Sequence, residues 1–255
     1  MLPNKLRKKL QLGQLVHGCV THAWSPNVID VIAYAGLDFI RIDNEHSWRQ
    51  DQSAEQLIRA ATAAGISTIF RVDRDNPYLI RKALEIGADA ILVPDIEHVE
   101  QARAVVSAAK FPPVGRRGCS PSCFSGGWGT HPIAEWIEWS NREPMVGVMI
   151  EVPSIIEHVD EIMQIEGLDY VMFGPADFSI NLGFKEPQPN HSDVQAALAT
   201  TVAAAKKAGK HVLFPVGMDH EAIKKCKKMG VTMMEHSSDL GVLFSTWKKL
   251  LTDMD

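Results

Sequence analysis

The sequence predicts a (β/α)8 barrel, also called a TIM barrel, that forms a single domain over residues 1–255. Eight strand-like runs alternate with helix-like runs along the chain, and this alternation is typical of parallel strands joined by helical crossovers. The length of 255 residues suits one closed barrel. No glycine-rich dinucleotide fingerprint follows the first strand, which disfavours an open nucleotide-binding sheet.

The predicted strands are short apolar runs at residues 16–21, 39–42, 67–72, 90–94, 145–150, 170–173, 211–216 and 231–235. Helix-like runs separate them at residues 26–35, 53–64, 77–86, 99–109, 155–163, 194–208, 221–229 and 240–251. Residues 111–142 break this rhythm, because they are rich in glycine, proline, serine and tryptophan and hold at most a short helix at 133–139. A loop of that length predicts a functional lid or an assembly element.

Composition excludes several classes of partner and compartment. The net charge of −5 and the isoelectric point near 6.1 leave no broad basic surface, so nucleic acid and anionic membranes are not expected as partners. The N-terminus has no apolar signal-peptide core, and no apolar run is long enough to span a membrane. Four scattered cysteines make no disulfide framework, so we expect a cytoplasmic protein.

Polar side chains follow several of the predicted strands at the point where each strand ends. Asp43, Asn44, Glu45 and His46 come directly after the apolar run at 39–42, and later strands end at Arg71, at Glu151 and just before Asp177. The carboxyl ends of parallel barrel strands share one rim, where loops carry catalysis. We therefore expect these side chains to converge, although the alternative for 43–46 alone is an ordinary turn that caps the next helix.

Two of these carboxylates form a candidate metal site. Glu151 and Asp177 end neighbouring strands, and paired carboxylates suit a hard divalent cation that keeps several water ligands, as Mg²⁺ does. Arg71 supplies a permanent positive charge for an oxyanion or a carboxylate. The alternative for Arg71 is an ion pair with an acidic neighbour, namely Asp43, Glu45 or Asp73.

His46 is the candidate general base, since imidazole titrates close to neutral pH. Asp43 would fix its tautomer by accepting a hydrogen bond from the ring. The turn Gly174-Pro175-Ala176-Asp177 resembles a helix start, and the free backbone N–H groups of Ala176 and Asp177 could bind a small carboxylate.

With these residues in hand, the chain resembles the class II, metal-dependent pyruvate aldolases of the HpcH/HpaI family, whose named member cleaves 2,4-dihydroxyhept-2-ene-1,7-dioate. The resemblance covers nearly the whole chain. It is carried in this order by the segments at 38–46, 70–72, 87–94, 112–118, 150–151 and 174–179.

The resemblance implies a reaction and a role for each site residue. Glu151 and Asp177 would bind a divalent metal (Mg, Mn or Co), on which pyruvate chelates, and Arg71 would contact the keto oxygen. His46, paired with Asp43, would start the reversible cleavage of a 4-hydroxy-2-oxo acid into pyruvate and an aldehyde. The substrate contacts implied are Arg71, Gly174, Ala176, Asp177 and Met149.

The resemblance also implies a homohexamer, built as a trimer of dimers, and a place in the catabolism of aromatic compounds. The apolar last helix, around Leu243, Phe244, Trp247 and Leu250, is the predicted assembly element.

Two positions depart from the family pattern, and two alternatives stay open. Met149 stands where the family usually has a glutamine near the substrate, and Asp95 follows Pro94 where a neutral residue is more usual. One alternative is a CoA-thioester lyase of the citrate lyase β or malyl-CoA lyase type, whose members lack the His46 motif. The other is a barrel that only binds a 2-oxo acid, for which Met149 would be the sign.

Overall fold

The computed structural model describes residues 1–46, 51–73 and 76–253, and within these ranges the predicted barrel is confirmed. Eight parallel strands pair in chain order, and the last strand pairs with the first to close the sheet. The strands are β1 (Val16–Thr21), β2 (Phe39–Asp43), β3 (Ser67–Arg71), β4 (Ala90–Val93), β5 (Met145–Ile150), β6 (Tyr170–Phe173), β7 (His211–Pro215) and β8 (Met233–Ser238).

Helices lie between successive strands, except that α1 precedes β1 and α11 follows β8. They are α1 (Lys5–Gln11), α2 (Pro26–Tyr34), α3 (Asp51–Ala64), α4 (Pro77–Glu85), α5 (Val99–Ala109), α6 (Ile133–Arg142), α7 (Val159–Met163), α8 (Pro175–Asn181), α9 (Ser192–Ala208), α10 (His220–Met229) and α11 (Asp239–Thr252). The sequence analysis missed α1. It also placed β8 too early, at 231–235, because this strand runs past Glu235 into the polar residues His236 to Ser238.

Strand residues alternate between two separate cores. Ile40 and Ile42 of β2 point outward into the layer between the strands and the helices, whereas Phe39 lies in the barrel interior. Helix α1 closes the lower end of that interior, because its Leu6 and Leu10 are buried among the inward-facing strand residues. The lower end is therefore packed shut, and the opposite rim, at the strands' carboxyl ends, stays available for chemistry.

A repeated turn leads into every second strand. In each copy a glycine with positive φ follows the helix, and the side chain of the residue two positions later accepts a hydrogen bond from the backbone of the preceding strand. In three copies this residue is an aspartate: Asp38 accepts from His17 N, Asp89 from Thr68 N, and Asp169 from Val146 N, each at 2.8 Å. In the fourth copy, Thr232 Oγ1 accepts from Val212 N at 3.3 Å. The glycines are Gly36, Gly87, Gly167 and Gly230, where an L side chain would be strained.

Helix α1 is attached to these turns by its polar side chains. Lys9 pairs with Asp38, and Arg7 pairs with Asp169 at 2.8 Å. Asn4, just before the helix, donates from Nδ2 to the carbonyl oxygen of Asp89 at 2.7 Å. The basic N-terminal stretch thus acts as a structural plug, a role that its charge pattern alone did not indicate.

Helix α11 differs from the other helices that follow strands, because none of its residues is buried. Phe244 is 68% and Trp247 59% exposed, and other large apolar side chains of the helix are exposed beside them: Leu240, Val242, Leu243, Leu250 and Leu251. A helix this apolar normally buries one face against a partner. Among the described residues, no helix is long and apolar enough to cross a membrane.

Substituting Asp169 tests the repeated turn. Asp169→Ala leaves the N–H of fully buried Val146 without its acceptor, so we expect a loss of about 1–3 kcal/mol in the free energy of unfolding. Urea unfolding followed by circular dichroism measures this loss. Asp169→Asn, which keeps an acceptor oxygen, should cost less. Exposed Asp160→Ala is the matched control, and equal stability of the Asp169 and Asp160 alanine variants would contradict the proposed role.

Candidate active site

The predicted site residues lie at the carboxyl ends of neighbouring strands. Asp43 is the last residue of β2 and Arg71 the last of β3, and these two residues are paired in the sheet register. Glu151 follows directly after β5, and Asp177 lies in the first turn of α8, after β6. All strands are parallel, so these side chains share the rim opposite α1.

Asp43 and Arg71 form a two-pronged ion pair at this rim. Arg71 Nε donates to Asp43 Oδ1 at 3.0 Å and Nη2 to Oδ2 at 2.5 Å, and both side chains are buried. Burial alone would raise the pKa of Asp43. The hydrogen bonds and charge of Arg71, together with the charge of Arg41, instead hold that pKa well below its usual range, so Asp43 is an anion at every working pH.

Arg71 also contacts Glu45 and Met149. Its Nη1 lies 2.6 Å from Glu45 Oε2 and 3.8 Å from Met149 Sδ. The ion pairs with Asp43 and Glu45 are those that the sequence left open as the alternative for Arg71. The guanidinium is therefore held rigidly by one buried carboxylate and one half-buried carboxylate, of which Glu45 is the more easily displaced.

His46 is not oriented by Asp43 in the expected way. Asp43 Oδ1 accepts the backbone N–H groups of Glu45 at 3.1 Å and His46 at 3.3 Å, so the contact between Asp43 and His46 runs through the backbone. The His46 side chain is 65% exposed, and its Nε2 lies 3.8 Å from Glu45 Oε2. The expected tautomer-fixing bond is absent, because Arg71 and these backbone groups engage the Asp43 carboxylate.

A second imidazole, which the sequence analysis did not single out, stands next to Asp43. His22 Nε2 lies 3.5 Å from Asp43 Oδ2 at the end of β1. Asp239, the first residue of α11, holds this strand end by accepting from Thr21 Oγ1 at 2.6 Å and from His22 N at 2.9 Å. The signal in the sequence was the same as for the other site residues, since His22 directly follows a strand.

Glu151 is a buried carboxylate with few donors around it. Its Oε1 accepts the backbone N–H of Asp95 at 2.6 Å. Burial raises the pKa of Glu151 to about 7. The Asp95 hydrogen bond opposes this rise, and the negative charges of Asp177, Asp95 and Glu45 add to it. A Cβ built on Gly174 would lie 2.9 Å from Glu151 Oε2, so glycine is needed there to leave room for the carboxylate.

Asp177 and Ala176 are exposed at the start of α8, so the Asp177 carboxylate faces solvent at the rim. Within the described ranges, no three His, Cys, Asp or Glu side chains are gathered into a ready metal cluster. The donor set nevertheless fits a hard cation, because Glu151 and Asp177 supply carboxylate oxygens and a divalent ion would neutralise the negative charges that add to the burial-driven rise in the pKa of Glu151. Two protein carboxylates would leave the remaining positions to water and substrate.

Met149 fills the space between Arg71 and Gly174. It is buried, its sulfur lies near Arg71 Nη1, and its methyl group would lie 3.4 Å from a Cβ at position 174. A thioether accepts hydrogen bonds only weakly, so Met149 shapes this wall of the site without orienting a polar substrate atom strongly.

A further buried ion pair lies inside the barrel below Asp43. Arg41 donates from Nε and Nη2 to the two carboxylate oxygens of Glu235, at 2.6 and 2.8 Å. The sequence analysis overlooked both residues. A charged residue in the middle of the apolar β2 strand was the available signal for Arg41.

Comparisons with known proteins show the family of the chain. A sequence model of the family described as HpcH/HpaI aldolase/citrate lyase matches residues 18–246. The 5-keto-4-deoxy-D-glucarate aldolase of Klebsiella pneumoniae is 32% identical over 252 residues, which are 98% of this chain and 96% of that one. The 2-keto-3-deoxy-L-rhamnonate aldolase of the same organism is 29% identical over 92% of this chain and 86% of its own.

Solved structures give the same result. An HpcH/HpaI aldolase from Desulfitobacterium hafniense superposes with a TM-score of 0.88 at 30% identity, over 98% of this chain and 96% of the other. The citrate synthase SbnG gives the same TM-score of 0.88, identity of 30% and coverage of 98% and 96%. The chain therefore belongs to the HpcH/HpaI aldolase/citrate lyase family, and its relatives named as aldolases support a lyase activity.

Proposed function

We propose that the chain is a divalent-metal-dependent pyruvate aldolase, which reversibly cleaves a 4-hydroxy-2-oxo acid into pyruvate and an aldehyde. The observation that supports this most directly is the rim itself. A buried carboxylate of raised pKa lies there with a second carboxylate nearby, and a fixed guanidinium and two imidazoles share the same rim.

In this proposal Glu151 and Asp177 hold Mg²⁺, Mn²⁺ or Co²⁺. When bound, the cation supplies electrophilic stabilisation of the negative charge that develops on the pyruvate portion of the substrate. Gly174 gives the Glu151 carboxylate its space, and the N–H of Asp95 fixes one of its oxygens.

Arg71 binds the keto oxygen and shares in stabilising the same charge. In the structure, Nη1 of Arg71 contacts the half-buried carboxylate of Glu45. The substrate oxygen would replace Glu45 at this nitrogen, while the two hydrogen bonds to Asp43 keep the guanidinium plane fixed. The substrate carboxylate accepts the backbone N–H groups of Ala176 and Asp177, and Met149 forms the wall between this position and Arg71.

His46 is the general base. Its ring takes the proton of the 4-hydroxyl group, the C3–C4 bond breaks, and the bonding electrons pass into the pyruvate enolate as the aldehyde leaves. Protonation of the enolate at C3 then gives pyruvate. The exposed ring of His46 can turn between solvent and substrate, and Asp43 contributes by holding the loop backbone and Arg71.

Both aldolase relatives are named for keto-deoxy sugar acids. Hydroxylated aldehydes therefore belong in a substrate panel beside the semialdehydes of aromatic catabolism.

All four cysteines are free thiols, which supports a reducing compartment such as the cytoplasm.

One specific similarity favours a second candidate, a CoA-thioester enzyme. The citrate synthase SbnG is as similar to this chain as the solved aldolase is. Incubation with acetyl-CoA and oxaloacetate separates the two activities, because release of free CoA identifies the thioester reaction and condensation of pyruvate with an aldehyde identifies the aldolase.

We further propose that α11 assembles the chain into a homo-oligomer, with a hexamer built as a trimer of dimers as the expected state. The apolar side chains of this helix are exposed in the single chain, and association would bury them.

The metal-dependent enolate is tested by pyruvate methyl-proton exchange. Wild-type protein with Mg²⁺ should exchange these protons and condense pyruvate with members of the aldehyde panel. Glu151→Gln should lower metal affinity by about 100-fold or more and stop both reactions. Pyruvate binding without any exchange would support a barrel that only binds 2-oxo acids.

The raised pKa of Glu151 predicts that the affinity for the metal depends on pH. In the folded chain the pKa lies at about 7 instead of 4.5, so the group stabilises the metal-free protein below pH 4.5 and this contribution is lost as the pH rises to about 7. A cation needs the ionised carboxylate. Metal affinity, measured by calorimetry, should therefore rise up to about pH 7 and then level off, and a flat profile would contradict the assignment.

The two imidazoles of the rim are distinguished by substitution. His46→Ala should lower kcat for aldol cleavage by about 10²- to 10⁴-fold while metal affinity stays the same. His22→Ala, the matched variant, keeps the proposed base and should lower kcat less. If His22→Ala proves the more damaging variant, the base assignment passes to the imidazole beside Asp43.

Assembly through α11 is tested by placing charges on its apolar face. Phe244→Asp combined with Trp247→Asp should lower the mass measured by light scattering, because burying the two carboxylates opposes association. Ser245→Asp on the same helix is the control and should keep the wild-type mass. An unchanged mass in the double variant would exclude α11 from the interface.

A further inference from the structure

We propose that Arg41, held by Glu235, is a positioning residue that sets the place of Asp43 and, through Asp43, of Arg71. This inference deepens the proposed function and rests on it only for the role of Arg71 in catalysis. The geometric part stands on the contacts inside the barrel.

The strand pattern places both charges in the interior. Residues 39, 41 and 43 of β2 face inward by alternation, so Arg41 lies one layer below Asp43 and one above Phe39. Glu235 reaches the same interior from β8, on the other side of β1. The β1 residue level with Glu235 is Gly18, at which a Cβ would lie 2.4 Å from the ring of Phe39, one layer below Arg41.

The Arg41–Glu235 ion pair is buried. Its hydrogen bonds engage both oxygens of Glu235 but only two of the three nitrogens of Arg41. Arg41 is 5% and Glu235 3% exposed, and two hydrogen bonds join them. Within the described part of the chain, the remaining nitrogen of Arg41, Nη1, makes no hydrogen bond, and it lies 3.7 Å from Asp43 Oδ2. Burial lowers the pKa of Arg41, but the charge and hydrogen bonds of Glu235 more than offset this, so the guanidinium stays charged.

These contacts make a chain of alternating charge. It runs from Glu235 through Arg41 to Asp43, and from Asp43 through Arg71 to Glu45. Asp43 is thus shared between two guanidinium groups, one in direct hydrogen-bonding contact and one kept 3.7 Å away by its own partner.

Stability is a weak reason for such a pair. Desolvation of two buried charges often cancels their attraction, and apolar side chains of similar size would fill the same space as well. A positioning role explains the arrangement better. If Glu235 loses its charge, Arg41 turns towards Asp43 and competes with Arg71 for the carboxylate.

The single and double changes have different consequences under this proposal. Glu235→Gln leaves Arg41 charged and poorly balanced, so the Asp43–Arg71 pair is disturbed most. Arg41→Met leaves Glu235 buried without a cation. The double variant Arg41→Met with Glu235→Met removes the competing cation but also the contact between Arg41 and Asp43, so the Asp43–Arg71 pair is disturbed less than in Glu235→Gln but is not restored.

Two measurements test this on the full-length protein. The first is the nuclear magnetic resonance signal of the Arg71 Nε–H group, assigned by its disappearance in Arg71→Lys. The second is methyl-proton exchange of pyruvate with saturating Mg²⁺, read separately as kcat and KM. Glu161→Gln, the same substitution at an exposed ion pair with Arg103, is the control and should match wild type in both.

We expect Glu235→Gln to shift the Arg71 signal and to lower kcat/KM about 10- to 100-fold, with a rise in KM because Arg71 contacts bound pyruvate. The double variant should recover only part of this loss, because Asp43 then lacks its contact with Arg41, and full recovery would contradict the positioning role. A purely structural role predicts a lower thermal midpoint with unchanged kinetics in the folded fraction, and that result would overturn the proposal.

Two other outcomes are also decisive. If wild-type protein exchanges no pyruvate protons, the proposed function fails, while the Arg71 signal still decides the positioning role. If Glu235→Gln does not fold, Arg41→Lys replaces it, because lysine keeps the charge but cannot bond both oxygens of Glu235. An Arg41→Lys protein with an unshifted Arg71 signal would refute the positioning role.

Discussion

The pair formed by Asp43 and Arg71 is the contact on which the rest of the rim depends. Each residue ends its own strand, and the strands are adjacent, so barrel closure brings carboxylate and guanidinium together before any ligand arrives. Both are buried, and an unpaired buried charge would be costly. Arg71 therefore keeps one orientation. Asp43 also accepts hydrogen bonds from the backbone N–H groups of Glu45 and His46, which holds this loop beside Arg71.

Most of the fold could be predicted, because each strand is an apolar run and the helices between them carry an apolar face. The errors occur where tertiary contacts override local pattern. Helix α1 carries four basic residues, and only its partners on the turns at Asp38, Asp89 and Asp169 explain why it folds back under the barrel. Strand β8 continues through polar residues because β1 pairs with it up to Ser238.

The gathering of these strand-end residues at one rim was predictable, but the sequence alone did not decide which of them pair. The position of each residue at the end of a strand places it at the rim. Whether the Asp43 carboxylate binds the side chain of Arg71 or that of His46 depends on the three-dimensional distances between these side chains. The Arg41–Glu235 pair escaped prediction because its members lie 194 positions apart and meet only across β1. His22 escaped because the strand before it ends without a cluster of charges.

The three contacts of Asp239 have a consequence for how quaternary structure and chemistry communicate. This residue begins α11, and its carboxylate binds Thr21, His22 and Ala23 at the rim. In the proposed assembly, the helix that packs against a second copy of the chain begins with the carboxylate that holds the backbone of His22 beside Asp43. Dissociation of the proposed oligomer would then reach the rim through this one side chain, and the activity would depend on protein concentration.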